Sequence, residues 1–207
     1  MMGRVLNRRR GRGERGAVLV ECVLIFPLLM MISLGVFDVG LGWKASLTVS
    51  SAARTGARVA SNLGVASSAD KDSLASIAAA LGSVDDSEID VVVIYRSTAA
   101  NGDVPAGCLT TAVRSAGGSA ALRCNVYDVT GLNAAATSTA YNGNCASSRD
   151  RFWCPSTRAN SQILTAGMDF LGVYVRLNHD TKTKIFGATM VIDDQAVMRV
   201  EPNAGNS

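Results

Sequence analysis

The stretch Arg15-Gly16-Ala17-Val18-Leu19-Val20-Glu21-Cys22, continued by Val23-Leu24-Ile25-Phe26-Pro27-Leu28-Leu29-Met30-Met31-Ile32-Ser33-Leu34-Gly35-Val36-Phe37, decides how the rest of the chain is read. Ala17 to Phe37 supplies about the 20 apolar residues that an α-helix needs to cross a hydrocarbon core. The spacing predicts one membrane span. Glu21 lies inside it, one helical turn from its start, where an ionised carboxylate is costly unless it finds a partner. Gly16 stands five positions before Glu21, at the junction of a basic leader and the apolar run.

Gly16-Ala17-Val18-Leu19-Val20-Glu21 resembles the processing site of type IV prepilins, in which a membrane aspartyl peptidase cuts after the Gly and the fifth mature residue is Glu. The wider run from Arg15 to Leu29, with Ser51-Ala52-Ala53-Arg54-Thr55-Gly56-Ala57-Arg58 downstream, resembles the TadE-like pseudopilins of the tight adherence (Tad/Flp) pilus system. The close Ala196-Val197-Met198-Arg199-Val200-Glu201-Pro202 does so too, whereas the middle of the chain is unmatched. Cys22 stands where that family usually has Phe. The resemblance implies Gly16 and Ala17 as the processing site and Glu21 as the assembly residue. The partners it implies are the membrane, a prepilin peptidase, other Tad pilins and pseudopilins, and the pilus assembly platform.

Charge supports the orientation. Of the 20 basic residues, Arg4, Arg8, Arg9, Arg10, Arg12 and Arg15 crowd into the first sixteen positions; from Ala17 onward 14 basic and 16 acidic residues leave a net of −2. A basic arm pressed against a span holds it on the cytoplasmic side, and no basic patch with interleaved aromatics follows that would suit nucleic acid. The N-terminus is expected in the cytoplasm and the remainder outside it, in a single-pass cell-membrane protein that could also be pilus-associated.

The organisation expected is a basic leader over 1–16, removed by cleavage and without apolar periodicity, then a long transmembrane and extended helix over 17–63, then an extracytoplasmic head over 64–207. Leu41, Ala45, Val49, Ala52, Gly56, Val59 and Leu63 recur at steps of four and three, one helical face. The helix should therefore continue past the bilayer, for roughly 70 Å in all. Its small residues permit close approach of neighbouring helices or of the chain's own head. Pro27 removes a helical hydrogen bond and is expected to kink it. Arg54 and Arg58 read as a solvated face.

In the head, Ser67 to Gly82 predicts a short helix capped by Ser67 or Ser68, with Asp70 and Asp72 near its positive end and Gly82 at its close. Val91 to Tyr95 reads as a central strand, apolar on both faces. Leu122 to Tyr127 is a weaker strand. Phe170 to Leu177 alternates as a half-buried strand, with Met190–Ile192 and Ala196–Val200 as its antiparallel partner and a bulge at Asp193-Asp194. The fold class is α+β: a long N-terminal transmembrane helix extended into a small domain with a short helix and an antiparallel sheet.

From Ser97 to about Ile163 the composition predicts loops held by crosslinks, the disulfide-bearing region 98–163. Cys108, Cys124, Cys145 and Cys154 form an even set without a C-x-x-C pair, which favours disulfides in an oxidising compartment over a zinc site. Of the three connectivities, the shortest loops give Cys108–Cys124 and Cys145–Cys154. Cys22 reads as a small apolar residue of the span.

No catalytic chemistry is legible. The single histidine, His179, stands at a strand end and reads as a surface residue; there is no G-x-S-x-G, no H-E-x-x-H and no phosphate-binding glycine loop. The expectation is a non-enzyme, with no cofactor, metal, nucleic acid or small-molecule substrate, acting as a minor pseudopilin in pilus biogenesis and adhesion. Two rivals differ at the N-terminus: an unprocessed single-pass protein with a ligand- or partner-binding head, and a secreted protein cut at Ser33-Leu34-Gly35.

Overall fold

The computed structural model describes residues 14–135, 137, 141, 145–160, 167–184 and 187–202. Most of the leader (1–13) and parts of the crosslinked region (136, 138–140, 142–144, 161–163) lie outside the described residues.

Helix α1, Glu14–Leu63, is continuous over 50 residues and runs through Pro27 without interruption, a length of roughly 75 Å. It has two halves. Residues 16–34 are exposed throughout. In the second half Ala45, Val49, Ala52, Ala53, Ala57 and Ala60 are buried, so this part of the small-residue stripe rests on the chain's own head. Gly64 ends the helix in a left-handed conformation (φ 58°), its N–H bonded to the Ala60 carbonyl at 3.1 Å.

Helix α2, Ala69–Ala80, packs across α1 and presents Leu74 and Ile77. Its caps differ from the expectation. Ser68 occupies the N-cap position in a right-handed conformation and makes no side-chain cap bond, because the chain enters through a turn that is already wound, Ala69 N–H bonding to the Ala66 carbonyl at 3.0 Å. Gly82 falls beyond the C-cap residue, Leu81: the Leu81 N–H donates to the Ile77 carbonyl at 2.9 Å and the Gly82 N–H to the Ala79 carbonyl at 3.4 Å, without left-handed backbone.

Five antiparallel strands follow, β1 (Ile89–Ser97), β2 (Gly118–Ser119), β3 (Cys124–Tyr127), β4 (Phe170–Asp180) and β5 (Thr189–Arg199), in the order β2-β3-β1-β4-β5. β1 is central. Its alternate residues feed two cores: Val92 and Ile94 meet α1 and α2 together with Leu171, Val173, Val175 and Leu177 of β4, while Val91, Val93 and Tyr95 pack with Cys108, Cys124, Val126 and Tyr174 on the other face.

That second core corrects two readings. β4 is not half-buried: Gly172 and Tyr174 are buried as well, because the segment after β1 folds over that face. Gly172 is paired with Tyr95, and a Cβ on it would stand 2.2 Å from the Tyr95 ring; only glycine lets the ring lie there. Nor does β5 bulge at Asp193-Asp194, which pair in unbroken register with Arg176 and Val175. The irregularity is instead between Ile89 and Val91, where β1 meets β4.

The region 98–163 is not structureless. It contains α3 (Thr111–Ala116), β2, β3, α4 (Val129–Ala134) and 3-10 turns at Ala106–Leu109, Arg151–Trp153 and Pro155–Thr157. These elements are too short to carry a hydrophobic period. They are fixed by local devices such as the Asp128 carboxylate, which accepts the Gly131 N–H at 2.7 Å, and by two disulfides, Cys108–Cys124 and Cys145–Cys154.

Candidate membrane and assembly surface

Residues 16–34 of α1 are exposed throughout. Their apolar side chains, among them Leu24 (72% exposed) and Met31 (68%), face outward on every side, which is the surface of a helix made for lipid or for other helices rather than for water. Gly16 and Ala17 lie exposed at the start of this segment. Glu21 is exposed as well, one turn and a half further on, and Cys22 is a free thiol beside it.

The apolar segment ends at Asp38, whose side chain turns into the head and is 3% exposed. Its carboxylate accepts the backbone N–H groups of Lys182 (3.1 Å) and Thr183 (3.2 Å) and the Thr183 hydroxyl. The Thr183 hydroxyl foremost, with these backbone donors, holds the carboxyl below the ordinary aspartate value, against the opposing effect of burial. The connection between β4 and β5 is thereby fastened to α1 at the first residue beyond the candidate span.

Next to this clamp His179 corrects the surface reading. Its side chain is 12% exposed and its Nδ1 lies 2.9 Å from a Glu88 carboxylate oxygen, because β4 continues to Asp180 and carries the imidazole over the 3-10 turn before β1. A cleft of about 230 Å³ beside it is lined by Lys44, Thr48, Asp85 and Lys182.

A second polar cluster is wholly internal. Asp70, expected only as a favourable charge near the start of α2, pairs with Arg158 at 2.5 Å, both side chains fully buried. Asn125 Nδ2 and the Tyr127 hydroxyl donate to the other Asp70 oxygen at 3.0 and 3.3 Å, and the Arg158 guanidinium stacks on Trp153 at 4.3 Å. Burial beside that carboxylate pushes the Tyr127 hydroxyl well above its ordinary value. The cluster ties α2, β3 and the crosslinked segment into one body. No pairing of an acidic residue with Arg158 is legible in sequence, since 88 positions separate the partners.

On the far side of the sheet a half-open cleft of about 320 Å³ is lined by Arg114, Arg149, Arg151 and Phe152. Arg114 is committed to Asp90 at 2.5 Å, and Arg151 lies 4.6 Å over the Phe152 ring. Arg54 and Arg58 are exposed on α1 as a solvated face should be.

No curated protein and no solved structure matches the chain. A family model described as TadE-like protein matches residues 16–58. The matched stretch takes in Gly16, Glu21, Asp38 and most of the small-residue stripe of α1, and it ends before the head begins. Such a segment suggests a function connected with the Tad pilus, and among the described residues one helix, near the N-terminus, is long and apolar enough to cross a membrane, which suggests a single-pass membrane protein. That match makes the N-terminal segment, residues 16–58, similar to the TadE-like proteins, and the same helix carries it into an α+β head.

Proposed function

We propose that this chain is a minor pseudopilin of the Tad pilus machinery, cleaved after Gly16 by a prepilin peptidase and acting by assembly with other pilins and the assembly platform. The division of the protein is then a leader over 1–16, an anchoring helix over 17–63 and an extracytoplasmic head over 64–207. The observation that carries this reading is Glu21, the one charged residue of the exposed stretch 16–34 of α1. In lipid it needs a cation or donor, and its own helix offers none nearby once Arg15 leaves with the leader, Lys44 lying far along the axis. Cleavage would create an α-amino group on Ala17, largely protonated near neutral pH. A slight axial stagger between neighbouring subunits would bring that amine to Glu21 and set their register.

The test is a pair of substitutions. Glu21→Ala leaves membrane insertion and cleavage intact but abolishes co-purification with the other pilus components and surface piliation; Glu21→Gln is partly defective. Wild-type assembly by Glu21→Ala removes the proposed role. One observation favours the rival, an unprocessed anchor whose head binds a ligand or partner: the arginine-lined cleft beside Phe152. That rival predicts no dependence on Glu21.

A further inference from the structure

The Asp38 clamp sets the height of the head above the bilayer. Residues 17–37, at about 1.5 Å each, fill a hydrocarbon core of about 30 Å, so the phosphate layer of the outer leaflet begins at the level of Asp38. The carboxylate of Asp38 holds the backbone of Lys182 and Thr183 at that same level. From this connection Lys182 and Lys184 project as exposed side chains, and Lys44, also exposed, shares a cleft with Lys182. None of the three has an ion-pair partner among the described residues. Of the carboxylates beside them, Asp38 is committed to the clamp and Glu88 to His179, while Asp85 is bound chiefly to the hydroxyl and N–H of Ser87 at 2.7 and 2.9 Å and feels Lys182 only as its weakest influence. Trp43, 70% exposed on α1 five residues beyond Asp38, roughly 8 Å further along the axis, is a residue type enriched in the headgroup region.

We propose that Lys44, Lys182 and Lys184 form a site for the phosphate groups of anionic phospholipids, which fixes the height and tilt of the head on the membrane. The inference rests on the reading of residues 17–37 as a membrane span. A lysine has a long apolar stem and an ammonium tip, so the stem lies along the interface while the tip meets phosphate. Zwitterionic lipid offers the same phosphate but neutralises it with its own choline; anionic lipid does not. Each lysine at an anionic surface is worth roughly fivefold in affinity, so three acting together give a preference on the order of a hundredfold at low salt, reduced by screening.

The experiment uses the full-length protein reconstituted in vesicles of equal phosphatidylglycerol and phosphatidylcholine, released in mild detergent and weighed by native mass spectrometry with its retained lipids. Wild type is expected to retain phosphatidylglycerol over phosphatidylcholine by at least about tenfold. K44Q/K182Q/K184Q, three exposed substitutions that leave thermal melting unchanged, is expected to retain both equally. Equal retention by wild type, or an undiminished preference in the triple variant, overturns the proposal. Loss of the bound lipid to millimolar inorganic phosphate overturns it in favour of a site for free phosphate. Extraction of the protein into the soluble fraction by alkaline carbonate refutes the span itself; an alkali-resistant protein without lipid preference refutes only the lysine site.

Discussion

Gly56 of α1 lies so close to Ile77 of α2 that a Cβ built on the glycine would stand 2.5 Å from the Ile77 side chain. At the same crossing the Ser73 hydroxyl donates to the Gly56 carbonyl at 2.9 Å. The missing side chain is what allows the two helices to meet. Gly56→Leu should therefore force them apart and destabilise the head by about 1–3 kcal/mol, the usual cost of overpacking. Denaturant unfolding of the full chain in detergent reads this directly, and Ile77→Ala in the same background should recover part of the loss. An unchanged midpoint for Gly56→Leu would show that the crossing is not a tight contact.

Removing one partner of the buried Asp70–Arg158 pair leaves a charge stranded in the core. Asp70→Ala is expected to cost about 3–5 kcal/mol. The double substitution Asp70→Ala/Arg158→Met should cost less than Asp70→Ala alone, because no charge is left without a partner. A double variant as unstable as the sum of the singles would contradict the coupling.

The two disulfides close loops with sequence separations of 16 and 9. In the chain-entropy model their loss costs about 3 kcal/mol for the longer loop and slightly less for the shorter. Alkylation and mass analysis of the non-reduced protein should find Cys108 joined to Cys124, Cys145 joined to Cys154, and only Cys22 labelled. Four reactive thiols in the head would refute the pairing.

The Asp38 clamp carries a pH signature. Its carboxyl titrates below the ordinary aspartate value in the folded protein, chiefly through the Thr183 hydroxyl, so the unfolded chain takes up that proton first. The stabilisation is complete above the ordinary value of about 3.9 and fades as pH falls through the lowered one. Hydrogen-exchange protection of the Lys182 and Thr183 amides, corrected for intrinsic rates, should drop in wild type as pH falls below about 4. In Asp38→Asn it should be low throughout. Protection in wild type that does not vary with pH would contradict the clamp.

What the sequence reveals and what it hides divide along the range of the interactions. The long helix, the central strand around Val91–Tyr95 and the β4–β5 pair are legible because each carries its own hydrophobic period. The short elements between Ser97 and Cys154 carry none, since α3 and α4 span six residues each. They owe their form to crosslinks and single caps. Asp38, Asp70 and His179 escape notice for a related reason. Each acquires its role from a partner more than 85 positions away, Thr183, Arg158 and Glu88 respectively. The one hint in sequence is that Asp38 interrupts an apolar run directly after Phe37. The second face of β4 is misread because Gly172, which looks like a weak strand residue, is the seat of the Tyr95 ring.

The central claim is that the chain is processed and then assembles through its exposed helix. The mature N-terminus tests this most directly, by terminal sequencing or intact mass of the protein from its native membrane. Gly16 has no side chain and open space where one would begin, at the edge of the apolar run, where a peptidase can reach the backbone. The mature protein is expected to begin at Ala17. An intact Met1 start would contradict it in favour of the unprocessed anchor, and a start near Val36 would contradict it in favour of a secreted protein without Glu21.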